Sequence, residues 1–160
     1  MSRTTDIDVS LSDRTTLANE SGADLFVSIH HNSSNPFKSG TMVYYPITEE
    51  HGERSDASKV LAENINLLTS SNTRLKNLGI YEEDFQVLRE TNMPAILTET
   101  GYMGGDIRLL MDPNNRQAIA ESIAEGILME LRRQEAQERI AGIWQYFINM
   151  MCKLSQGRLA

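Results

Sequence analysis

Cysteine is almost missing from this chain, and so is any surplus of positive charge. Cys152 stands alone, which excludes an internal disulfide and any Cys-based zinc cluster, so a bound metal must rest on His and carboxylate donors. The 15 Lys and Arg are outnumbered by 22 Asp and Glu, giving a formal net charge of -7. That balance argues against nucleic acid as a partner, because phosphate neutralisation calls for a basic patch. No stretch reaches the roughly 18 apolar residues of a membrane span, and the opening MSRTTDIDVSLSDR holds no apolar run of signal-peptide length. Nothing here directs export, so action outside the cell requires a missing leader, lysis or another route, and the expectation is that the N-terminus is not the original one. Internal repeats and low-complexity tracts are also lacking.

What remains is a chain of 160 residues, 40% of them hydrophobic, enough for one continuous core. Ser10 or Ser12 is placed to cap a short helix through Arg14, Leu17, Ala18 and Asn19, with Gly22 to stop it. LFVSIHHN, residues 25–32, reads as a strand that runs into a Ser33, Ser34, Asn35, Pro36 loop, and TMVYYP after Gly40 reads as a second. Ala57, Val60, Leu61, Asn64, Ile65 and Leu68 recur at helical spacing behind Ser55, a candidate cap, and predict a surface helix. Phe85 to Leu88 is expected as a short strand. Pro94 precedes AILTE, a buried strand tipped by Glu99. Ile119, Ile123, Ile127 and Leu131 mark a long amphipathic helix that starts near Asn114 or Asn115. Strands alternating with helices predict a layered α/β sheet with ligand groups just beyond the strand ends, where His30 and Glu99 fall.

Side chains alternate along a strand, so Ser28, His30 and Asn32 share one face, and Val27, Ile29 and His31 the other. Only one of the adjacent histidines can face a site. A neutral imidazole at a strand end beside a loop is a competent zinc ligand, although such a His taken alone is more often structural. Glu99, between apolar AIL and the turn-prone Gly101, Gly104 and Gly105, suits a general base whose pKa is raised by partial burial; the alternative is a carboxylate that caps a helix or pairs with Arg89. Arg89 is expected to pair locally rather than bind a substrate carboxylate.

Read together, four blocks resemble the amidase-3 family of zinc-dependent N-acetylmuramoyl-L-alanine amidases. SRTTDIDVSLSDRTTLAN is similar to a passage whose helix carries Ser10, Leu11, Arg14, Ala18 and Asn19. GADLFVSIHHNSS is similar to the block whose zinc-binding His falls on His30. GTMVYYP resembles the strand that follows, and MPAILTETGYMGGD the block whose catalytic Glu falls on Glu99. The resemblance spans most of residues 3 to 130. It implies a twisted, mainly parallel sheet flanked by helices, one Zn2+ ion, peptidoglycan as substrate, and hydrolysis of the amide between muramic acid and L-alanine. It also implies a site at the cell wall, outside the cytoplasm. Under it, His30 is a metal ligand, Glu99 is catalytic, and Ser28 and Asn32 are supporting candidates.

The family draws two further zinc ligands, a His in a Gly-rich turn and a Glu on the next helix, from sequence ahead of the first matched block. That block begins here at residue 3, so the sheet is expected to be truncated at its N-terminus and the site incomplete. His31, on the other strand face, and His51, in the acidic TEEHGE segment, are not expected to replace those ligands. Tyr102, Gly104 and Gly105 depart from the family's usual Phe and Ser-Asn, which concerns loop detail. Two parts are expected: residues 1–131, the C-terminal portion of an amidase-like catalytic domain, and 132–160, a helical extension. The extension aligns Ile140, Ile143, Trp144, Phe147, Ile148 and Met151 near Arg132, Arg133, Arg139, Lys153 and Arg158. It is expected to pack on the core, a partner protein or a membrane surface, and self-association through an exposed sheet edge is a further expectation. The rival reading is a non-catalytic remnant that serves as a wall-binding or regulatory module.

Overall fold

The computed structural model describes residues 4–33 and 37–156, and side chains only as far as Cys152. Ser2 and Arg3 of the first matched block, the loop residues Ser34, Asn35 and Pro36, the Lys153 side chain and Arg158 lie outside that set. The chain divides into two units, Met1–Ile127 and Leu128–Ala160.

The first unit carries a four-stranded sheet in the order β1-β4-β2-β3. Its strands are β1 (Phe26–Asn32), β2 (Thr41–Tyr45), β3 (Asn77–Glu82) and β4 (Ala95–Tyr102). β1 runs parallel to β4 and β2 parallel to β3, while β2 and β4 are antiparallel. The sheet is thus mixed but mainly parallel, as the resemblance implies. β4 sits between two neighbours and is buried along most of its length, which its compact Ala-Ile-Leu-Thr composition suits.

Helices cover both faces. α2 (Thr48–Asn72) and α5 (Pro113–Gln156) bury Leu61, Ile65 and Ile123 against Val43 and Ile96. On the opposite face, Val87 and Leu88 of α3 (Gln86–Arg89) pack on Ala95, with Phe26, Tyr44 and Leu97 around them. α1 (Leu11–Glu20) lies beside α3, and α4 (Ile107–Met111) follows β4. Ser10 caps α1, its Oγ accepting from the Asp13 N–H at 3.1 Å. Asn19 then ties α1 to the α3–β4 connection: its side-chain amide donates to the Glu90 carbonyl, and its oxygen accepts from the Asn92 N–H, both at 2.8 Å.

Four expectations need correction. Phe85 to Leu88 is not a strand: Phe85 precedes a short helix, and its carbonyl accepts from the Leu88 and Arg89 N–H groups. The four residues Phe85 to Leu88 are too few to separate strand from helix by periodicity. β3 had no sequence forecast, because Leu78 and Ile80 make too short an alternation to mark a strand and Gly79, at φ 101°, weakens the strand signal between them. Ser55 does not cap α2. The helix begins at Thr48 and kinks at Gly52, and the buried Ser55 hydroxyl donates to the Pro46 carbonyl instead. α2 is also less superficial than expected, with Leu61, Ala62 and Ile65 fully buried. Beyond Leu131 no second helix begins; α5 runs unbroken to Gln156.

Candidate active site

His30 and Glu99 are brought together by strand register. They are Cα partners across the parallel β1–β4 pair, and Ser28 and Leu97 are partners two residues earlier. With the period-two alternation of strands, His30 and Glu99 therefore emerge on one face. Both line an open cleft of about 1160 Å³ with Arg14 and Leu17 of α1, Ser28 of β1 and Val87 of α3.

The His30 ring Nε2 lies 2.8 Å from the Ser28 hydroxyl, which fixes ring orientation from the same strand face. Its pKa is lowered, first by desolvation and then by the positive charge of Arg14 and by His31, so a neutral imidazole is favoured, the form that binds metal. Glu99 behaves in the complementary way: desolvation raises its pKa from 4.5 to about 6. Its Oε2 is buried and has no hydrogen-bond partner among the described residues. A carboxylate left like this gains by holding a proton, which is what a general base must do transiently. Arg89 does not answer it; Arg89 pairs with Asp84 at 2.7 Å and more distantly with Glu90.

The other candidates are dispersed. Asn32 lies past a register shift, opposite Tyr102 rather than Glu99. His31 turns its Nδ1 to the Thr100 hydroxyl at 3.1 Å, and His51 sits in the first turns of α2, 3.8 Å from Glu50. Among the described residues no group of three or more His, Cys, Asp or Glu is placed to hold a metal ion. A catalytic zinc centre takes three protein donors. The described residues therefore do not by themselves fit zinc: Asp8 also lines the cleft of His30 and Glu99, but the three do not form a metal-holding group.

Three contributors escaped sequence reasoning. Arg14 was visible only as a helix position, yet its charge reaches His30, and its Nε donates to the Val9 carbonyl at 2.9 Å. Tyr44 shares the sheet face of Met42, the cross-strand partner of Glu99. Its hydroxyl is directed to the Met42 sulfur at 3.1 Å, and desolvation and then the Glu99 charge raise its pKa. Asp106 is buried and accepts from the Ser39 hydroxyl at 2.6 Å and from the Gly40 and Tyr102 N–H groups at 2.9 Å each. That carboxylate pins the end of β4, just beyond Glu99, to the entry of β2. Its position before α4 suggests an N-cap, but it makes no side-chain cap bond.

Residues 1–129 match the family model described as N-acetylmuramoyl-L-alanine amidase. A probable cell wall amidase, LytH, of Staphylococcus saprophyticus is 35% identical over 130 residues, covering 79% of this chain and 40% of that protein. The crystal structure of N-acetylmuramoyl-L-alanine amidase from Clostridium difficile 630 superposes with a TM-score of 0.74 at 36% identity, covering 81% of this chain and 69% of that one. The N-acetylmuramoyl-L-alanine amidase AmiC2 of Nostoc punctiforme gives 0.71 at 38% identity, covering 81% and 70%. The chain thus spans less than half the length of the LytH relative.

Proposed function

This chain belongs to the amidase-3 family of N-acetylmuramoyl-L-alanine amidases, and on that premise we propose that it provides the proton-transfer half of a peptidoglycan amidase site. The reaction is hydrolysis of the amide between muramic acid and L-alanine. Glu99 takes a proton from the attacking water and returns it to the departing amine, for which a carboxylate with a pKa near 6 is well matched. His30, held neutral, is the chain's contribution to the zinc shell. The described residues do not complete a zinc ligand set. The observation that carries the reading is the matched register of His30 and Glu99 in one cleft.

The proposed location is the cell wall or, more broadly, the outside of the cytoplasm. Residues 1–131 are proposed as the catalytic portion and 132–160 as a separable extension. Ile29, 58% exposed on β1, supports self-association through that strand, since β1 pairs only with β4 among the described residues. Concentration-dependent light scattering that Ile29→Lys suppresses is the expected result, and a monomer at all concentrations contradicts it.

A second reading, a wall-binding module without hydrolysis, is kept because no three-donor group is found among the described residues. Incubation with purified peptidoglycan separates the two. Release of stem peptides with new L-alanine amino termini supports the amidase once zinc has its donors, whereas retention on the wall without release under the same conditions supports the module.

A further inference from the structure

The sequence of α5 changes character after Arg139. Residues 140–152 hold no Asp, Glu, Lys or Arg, and at 1.5 Å per residue this run is about 20 Å long. Gly142, Gln145 and Asn149 recur at three- and four-residue spacing and so form one narrow strip. Gln145 Nε2 donates to Asn149 Oδ1 along it at 3.1 Å. Apolar side chains take most of the remaining circumference: Ile143, Trp144, Tyr146, Phe147, Ile148 and Met151 are all exposed, Trp144 at 65% and Met151 at 62%. The run is too short to span a bilayer, and no described helix is long and apolar enough to cross a membrane.

Charge indicates what covers this surface. Residues 139–160 contain Arg139, Lys153 and Arg158 and no acidic residue, a net +3 in a chain whose total is -7, which leaves -10 on residues 1–138. An uncharged stretch with Trp and Tyr, bracketed by cations and set on an otherwise acidic chain, has the composition of a helix that lies in a lipid interface. The charge sign selects anionic headgroups. We propose that residues 139–156 of α5 form an interfacial anchor that binds anionic lipid, with its apolar side chains among the acyl chains and Arg139 at the headgroups. This goes beyond hydrolysis: it places the chain on the membrane surface and does not depend on its activity.

Trp144 is the one tryptophan and therefore a built-in probe. The full chain is mixed with vesicles of phosphatidylcholine alone and of phosphatidylcholine containing one quarter phosphatidylglycerol. Trp144 emission and co-sedimentation are followed at low salt and at 0.5 M NaCl. The expected result is co-sedimentation and a shift of emission to shorter wavelength with the anionic vesicles, weakened by salt. Arg139→Glu should lower partitioning roughly tenfold or more, and Phe147→Asp should abolish it with the far-UV circular dichroism unchanged. If Phe147→Asp loses helix, Arg139→Glu decides. Failure to bind anionic vesicles overturns the proposal, as does binding that neither lipid charge, salt nor Arg139→Glu alters. An already blue-shifted emission without lipid, in a dimer that vesicles leave unchanged, also overturns it and assigns the surface to a second copy of the chain.

Discussion

Glu99 stands directly across the β1–β4 pair from His30, and the same desolvation acts on the two side chains in opposite ways. It raises the carboxyl of Glu99 and lowers the imidazole of His30. Both shifts favour the neutral form, so near neutral pH the pair offers an unprotonated ring nitrogen beside a carboxylate ready to take a proton.

The raised Glu99 pKa makes stability depend on pH. The folded state prefers the protonated carboxyl, so the stability linked to that proton is fully present below about 4.5 and is lost as pH rises through about 6. Glu99→Gln removes the cost. In metal-free buffer its unfolding free energy from urea titration should match wild type near pH 4 and exceed it at pH 8, by up to about 1 kcal/mol once solvent screening of this half-buried group is allowed for. A variant less stable than wild type at pH 8 would show that the charged carboxylate is stabilised, not strained, by its surroundings.

Asp106 is predicted to govern the geometry of the site without touching substrate. Asp106→Ala leaves the Gly40 and Tyr102 N–H groups without their acceptor, at about 1–3 kcal/mol each. A loss of roughly 3 kcal/mol or more in denaturant unfolding is expected. Gly40 itself is required at this point, since at φ 131° a Cβ would run into the Lys76 carbonyl and the Leu78 side chain. A loss under 1 kcal/mol contradicts this role.

Two glycines of α5 should respond in opposite directions. A Cβ at Gly126 would run into the Ile65 side chain, with the Ile65 Cα only 3.3 Å away, so Gly126→Ala should destabilise by about 1–3 kcal/mol. At Gly142 nothing lies within 4 Å, and Gly142→Ala should add up to about 1 kcal/mol of local helix stability. Thermal unfolding reads the first and hydrogen exchange in the second unit reads the second.

Zinc should bind the described residues weakly, since one imidazole cannot supply the grip of three donors. Equilibrium dialysis is expected to leave well under one zinc per chain, and His30→Ala should lower it further. One zinc per chain that survives His30→Ala would mean that His30 is not a donor.

Legibility in the sequence followed the strength of local patterns. β1, β2 and β4 were readable because each is a short apolar run with clear bounds, and α1 because Ser10 has the chemistry of a cap. His30 and Glu99 stood out singly, but their meeting depends on strand order, which places β4 beside β1 although two strands intervene in sequence. β3 was hidden by an alternation of only Leu78 and Ile80 around a glycine, and α3 by a stretch too short to carry a period. Arg14, Tyr44 and Asp106 act through long-range contacts. No spacing rule relates Asp106 to Gly40 across 66 residues.

The proposed hydrolysis depends most on Glu99 as the proton carrier. Its direct test is the rate at which purified peptidoglycan yields new L-alanine amino termini, with zinc content measured alongside. The chain is compared with a form joined to a family-type strand and helix that bring the further His and Glu donors, and with Glu99→Gln in that form. The prediction is little turnover in the chain alone, hydrolysis in the joined form, and a loss of roughly two or more orders of magnitude in Glu99→Gln with zinc retained, because an amide cannot accept the proton. Near-wild-type turnover by Glu99→Gln would contradict the claim.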